Sequence, residues 1–128
     1  MQTFESTIKV TEDDLDELDH VNNVRYVQWV QNVAKQHWIQ HAPSIILENY
    51  FWVMTKHCIE YKNSALLNDK IKLTTYIKNY KGAISTRVVE ITNYENNVLI
   101  AKSETKWCLI NTKTKRPARI TSDITEVF

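Results

Sequence analysis

Between Asp14 and Tyr26 the chain reads Asp-Leu-Asp-Glu-Leu-Asp-His-Val-Asn-Asn-Val-Arg-Tyr. Carboxylates, one imidazole and two carboxamides crowd into this short run, and an amphipathic pattern starts directly after it. Side chains able to take, give or position a proton therefore precede a predicted helix start. Backbone N–H groups there lack internal partners and favour negative charge. The pairing suits acyl transfer, in which a carbonyl oxygen passes through an oxyanion. His20 is the proton carrier best matched to neutral pH, or else it orients the loop through a hydrogen bond. Asn22 or Asn23 is placed to cap the helix, and a capped start still offers its N–H groups to a developing oxyanion. Asp16, read on its own, is a loop acid or turn residue.

The elements that must hold this run are legible on either side of it. Phe4 to Val10 alternates as a strand does, with Phe4, Ser6, Ile8 and Val10 on one side. The acidic run follows as a loop. From about Asn23 the residues Val27, Val30, Ala34, Trp38 and His41 recur at three- or four-residue steps, one stripe of a helix that Pro43 ends. The remainder reads as strands over Phe51 to Lys62, Ile71 to Tyr80, Ile84 to Tyr94 and Val98 to Asn111. Lys81-Gly82 and Glu95-Asn96-Asn97 are the turns. A polar turn at Thr112 to Pro117 precedes a short tail strand at about Arg119 to Ile124. One long helix against an antiparallel sheet is an α+β arrangement. Its open edges favour pairing with another copy.

Composition narrows the functions. The 128 residues fit one domain spanning 1–128, and the formal net charge of +1 argues for neither a nucleic-acid binder nor an acidic tail. Gly82 is the only glycine, which excludes glycine-rich phosphate loops. Cys58 and Cys108 sit in apolar, strand-like contexts and read as reduced, buried thiols. No apolar leader or membrane-length run appears, so the chain is expected to be cytoplasmic with no membrane partner.

Other chemical residues have plainer readings. His37 and His41 stand four apart but lack a zincin's glutamate, and no further ligand cluster is visible, so no metal is expected. Tyr26, Trp29 and Trp38 read as packing, with Tyr26 also a candidate to line an acyl pocket. Ser64 is a turn residue or a holder of attacking water. Lys113, Lys115, Arg116 and Arg119 form either a solubilising turn or a site for phosphates or an acidic protein surface. No aromatics interleave with them, so nucleic acid is not expected.

Residues Asp14 to Trp29, with Ile59-Glu60-Tyr61-Lys62 leading to Asn68-Asp69 and Cys108-Leu109-Ile110-Asn111 leading to Lys115-Arg116-Pro117, resemble the hotdog-fold thioesterases. Two branches are similar. One is the 4-hydroxybenzoyl-CoA thioesterase-like family, with an opening motif of the form D-x-D-x-x-G-H-V-N-N-x-x-Y. The other is the acyl-ACP thioesterases. The resemblance spans nearly the whole chain and implies a sheet of about five to six antiparallel strands wrapped around one long central helix. By resemblance, Asp16 matches the carboxylate used as nucleophile or general base, His20 a histidine near the thioester, and Asn23 the first helical N–H facing the carbonyl. Ser64 falls where such folds place a residue across a dimer interface. Asn22, Tyr26, Lys113, Lys115 and Arg116 are the corresponding substrate-binding candidates.

Three departures mark this chain. Asp19 stands where the family has glycine, Leu18 where the acyl-ACP branch has asparagine, and Ser64-Ala65 where that branch has Glu-Cys. A carboxylate-led mechanism is compatible with all three. The expected activity is hydrolysis of an acyl-CoA or acyl-ACP thioester without a metal or redox cofactor, by a homodimer or homotetramer. The rival readings are a non-catalytic acyl-thioester-binding module and a hotdog hydratase or dehydratase.

Overall fold

The computed structural model describes residues 2–128. Five antiparallel strands form one sheet in the order β1-β3-β4-β5-β2. They are β1 (Phe4–Lys9), β2 (Tyr50–Tyr61), β3 (Lys70–Lys81), β4 (Ile84–Asn93) and β5 (Leu99–Asn111). One long helix, α1 (Asn23–His41), lies on the sheet, joined by the short α2 (Ser44–Asn49) and α3 (Ser122–Thr125). This is the hotdog arrangement. No helix among the described residues is long and apolar enough to cross a membrane.

The strands form where side chains alternate between a helix-covered and an open face. Ile71, Leu73 and Thr75 of β3 are buried, while Lys70 is exposed. α1 buries Tyr26, Trp29, Val30, Val33, Ala34, His37 and Trp38. The buried stripe thus passes through His37, whereas His41, expected in it, is exposed. Asn22 is the cap, its Oδ1 accepting from the Val24 N–H at 3.0 Å.

The core divides in two. One apolar cluster, including Val10, Val21, Tyr26, Val30 and Ile100, underlies the start of α1. The other, including Trp38, Leu109, Ile120 and Ile124, underlies its end. Between them the inner face of the sheet is polar: Arg87 pairs in register with Ile77 and Thr105, and Thr105 with His57.

Two expectations are corrected here. The tail forms no strand at Arg119 to Ile124; it makes one bridge, Ile110 to Pro117, and then coils into α3. β5, the strand the tail follows, is already paired on both sides, with β2 and β4, so the tail finds no open ladder on it. Cys58 is exposed on edge strand β2, and only Cys108 is buried.

Candidate active site

The motif loop is closed by its own backbone. Leu15 and Val21 bridge, and the Asp16 N–H donates to the His20 carbonyl at 2.7 Å. Within this closure Asp16 Oδ1 accepts the Leu18 and His20 N–H groups at 2.8 and 3.1 Å. The half-buried carboxylate thus spends one oxygen on shaping the loop, and its Oδ2 meets no protein donor among the described residues. Asp19 closes the turn with φ of 61°, the left-handed region.

Asp14 is structural. Its carboxylate accepts the Thr11 N–H at 2.9 Å and lies 3.5 Å from Arg25 Nε, and its side chain is only 13% exposed. The Asn22 N–H donates to the Asp14 carbonyl at 2.8 Å, so this acid's segment also fixes where α1 begins.

At the helix start, Val24 N–H is taken by the Asn22 side chain and Arg25 N–H by the Asn22 carbonyl at 2.8 Å. The Asn23 N–H has no protein acceptor among the described residues, which leaves one donor free at the positive end of a 19-residue helix. The His20 imidazole is exposed and makes no hydrogen bond to the described residues.

Tyr26 is buried, and its hydroxyl accepts the Ala65 N–H at 2.9 Å, while the Ala65 carbonyl accepts the Val21 N–H at 3.1 Å. Burial pushes the Tyr26 phenol above its ordinary range. The Ala65 N–H acts against this, and Tyr61, Asp69 and Asp16 add to the rise. Tyr26 therefore staples the β2–β3 loop to the motif. The staple places exposed Ser64 one residue from the motif's backbone contact. Among the described residues no group of three or more His, Cys, Asp or Glu side chains is placed to hold a metal.

Lys113, Lys115 and Arg116 lie in the exposed turn after β5, shaped by Asn111 Oδ1 accepting from the Lys113 and Thr114 N–H groups. This turn and the motif occupy opposite ends of the sheet. The motif contacts the loop after Tyr61, which pairs with Ala101, whereas the basic turn follows Asn111, which pairs with Tyr50. The ten residues from Ala101 to Asn111 span about 33 Å. One chain does not bring its own basic turn to its own Asp16.

A cavity of about 410 Å³ lies beside the C-terminal half of α1, with Ala34, Trp38, Trp52, Ser85, Arg87 and Trp107 among its walls. That volume suits a small-molecule ligand. The motif residues are not part of it. Sequence reasoning missed Arg87 and His37. Arg87 Nη1 donates to His37 Nδ1 and to Thr75 Oγ1, both at 3.0 Å. Burial, with Arg87 and His41 nearby, lowers the His37 pKa to about 4. The one sequence signal for Arg87 is that it shares alternate positions of β4 with Val89 and Ile91, which are buried; the predicted stripe of α1 passed beside His37.

A family model described as the acyl-ACP thioesterase N-terminal domain matches residues 1–128. No curated protein sequence matches the chain. Solved structures do. The chain is similar to the probable thioesterase YbaW from Escherichia coli, with a TM-score of 0.85, 22% identity, and coverage of 96% of this chain and 94% of that one. It is similar to SAV2348 from Staphylococcus aureus in complex with CoA, with a TM-score of 0.88, 21% identity, and coverage of 98% and 81%. It is also similar to an acyl-ACP thioesterase from Bacteroides thetaiotaomicron, with a TM-score of 0.85, 18% identity, and coverage of 97% of this chain but 52% of that one. At these identities the likeness shows the fold.

Proposed function

The chain belongs to the acyl-ACP thioesterase N-terminal domain family, and on that premise we propose that it hydrolyses an acyl-CoA or acyl-ACP thioester to a carboxylic acid and a thiol. The observation that carries this reading is the pair of unspent groups in one closed loop. They are Asp16 Oδ2 and the Asn23 N–H, left over where Asp16 Oδ1, the Asn22 side chain and the Leu18, His20, Val24 and Arg25 N–H groups are engaged in holding the loop and the helix start.

In this reading the thioester carbonyl oxygen accepts from the Asn23 N–H, and charge grows on it as the carbonyl carbon becomes tetrahedral. Asp16 supplies the other half of the reaction by one of two routes. It takes a proton from a water whose oxygen attacks the carbon, and returns that proton to the departing thiolate. Alternatively it attacks the carbon itself, and water then cleaves the mixed anhydride. His20 and Ser64 position the thioester and the water.

The 33 Å gap within one chain is bridged by a second copy. β2 is an edge strand, and antiparallel pairing of two β2 strands about a two-fold axis sets the Tyr50 end of one copy beside the Tyr61 end of the other. The basic turn of one protomer then serves the motif of its partner, and Lys113, Lys115 and Arg116 meet the CoA phosphates or the acidic face of a carrier protein.

Thiol release from a series of acyl-CoA and acyl-ACP substrates tests the reading. Asp16→Asn keeps an Oδ1 acceptor for the Leu18 and His20 N–H groups, so the loop should persist while activity falls at least about a hundredfold. Steady release in Asp16→Asn at the parent rate overturns the assignment. Binding without release, in parent and variant alike, marks a binding module, and double-bond formation without thiol release marks a dehydratase.

A further inference from the structure

Arg87 is 4% exposed, and no carboxylate lies within ion-pair distance of it among the described residues. A guanidinium has five N–H donors and no acceptor. Nη1 serves His37 and Thr75, the Phe128 ring lies 4.9 Å from Cζ, and Nε and Nη2 meet no protein acceptor among the described residues. Burial brings its pKa down to about 10, so the group remains a cation at neutral pH. Nε and Nη2 are not fully enclosed, and Arg87 lines the adjoining cavity, so a cation without a counter-ion presents free donors to whatever fills that space.

The neighbouring groups do not supply what it needs. Because Arg87 can only donate, His37 Nδ1 is the acceptor, and the neutral ring carries its hydrogen on Nε2. That Nε2 is buried without a partner, and so is Trp52 Nε1. Every unpaired group here is a donor. Arg87, Trp52 and Ser85 line the 410 Å³ cavity, Lys35 stands in the same wall, and no Asp or Glu does. The rest of the wall is largely aromatic and aliphatic.

We propose that this cavity is a binding site for an aliphatic carboxylate, its anionic head paired with Arg87 and its chain against Trp38, Trp52 and Trp107. A carboxylate accepts a guanidinium's parallel N–H pair and neutralises it, whereas an apolar chain alone leaves the donors orphaned. The cavity begins at Gln31, about 12 Å along the helix from Asn23. Two sources supply this chemistry. One is the free acid released by hydrolysis. The other is the distal carboxyl of an acyl group still joined to its thiol. The second source rests on the thioesterase reading; the binding site itself does not.

Calorimetric titration with decanoate and with decanol tests the site without any turnover. Decanoate should bind the parent at least about tenfold more tightly than decanol. Arg87→Met, which keeps the side chain's length, should remove that preference, and Arg87→Lys should keep part of it. Trp52→Phe, a gentler change in the wall that holds the chain, should weaken decanoate and decanol alike and keep the preference for the acid. Equal binding of acid and alcohol, no binding of either, or full decanoate affinity in Arg87→Met overturns the proposal.

Hydrolysis of the mono-CoA thioester of decanedioic acid against decanoyl-CoA then separates the sources. A lower KM for the diacid, lost in Arg87→Met, assigns the distal carboxyl. Equal KM values with inhibition by decanoate assign the released acid. Carboxylate binding in a chain that hydrolyses nothing keeps the cavity and sinks the hydrolase reading.

Discussion

Asp19 occupies the position where the resembling families carry glycine, and its φ of 61° explains the family preference. A side chain in the left-handed region is crowded against its own backbone, and only glycine escapes that cost. Asp tolerates the region better than most, so the loop still closes. Asp19→Gly should therefore raise stability by up to about 1 kcal/mol, read as a higher midpoint in urea; a lower midpoint would show that the Asp19 carboxylate holds the loop. Single residues were unevenly legible. The motif declares Asp16, His20 and Asn23 because their order in the chain is the signal. Arg87 was silent because its meaning lies in three other elements, namely His37 on α1, Thr75 on β3 and the cavity wall. Asp14 was silent for the same reason, since its partners Thr11 and Arg25 are set by the fold.

At the scale of elements, helix and strands emerged within one or two residues of their observed bounds, because each buries one face and repeats with its own period. The tail failed because alternation reports a willing strand and not a vacant ladder. The contact between α1 and the sheet has its own signature in His37. It is fully buried, stacked on Phe4 with ring centroids 5.1 Å apart, and beside Arg87 and His41, with its pKa lowered to about 4. Its native form is neutral, while the unfolded chain takes up its proton near pH 6.5. Stability from this group is complete above pH 6.5 and drains away as pH falls towards 4. The loss is on the order of 2 kcal/mol, after allowing for water in the adjoining cavity. His37→Asn keeps an oxygen acceptor for Arg87 but does not titrate. Thermal melts of the two proteins between pH 7 and pH 4 should converge as the pH drops, and parallel curves would show that His37 is not the sensor.

For the whole molecule, the shared-site proposal rests on where its two candidate parts lie, at opposite ends of the sheet. The motif sits at the Tyr61 end of β2, while the basic turn sits at the Tyr50 end. β2 is a 12-residue edge without proline, and Val53 (43% exposed), Phe51 and Tyr61 are uncovered. Such an edge is a template for another strand. The sequence made an unpaired edge foreseeable, but not which strand would own it, because the order β1-β3-β4-β5-β2 is a property of long-range pairing. If two copies join through β2, lysines on it repel across the two-fold axis. Val53→Lys with Cys58→Lys alters two exposed positions and touches no motif residue. Light scattering should show the parent at twice the mass of this variant or more. Thiol release should fall with the mass, because each motif would lose the basic turn of its partner. A variant that is monomeric and fully active would place the complete site in one chain, and the shared-site geometry would then be wrong whatever the parent's oligomeric state.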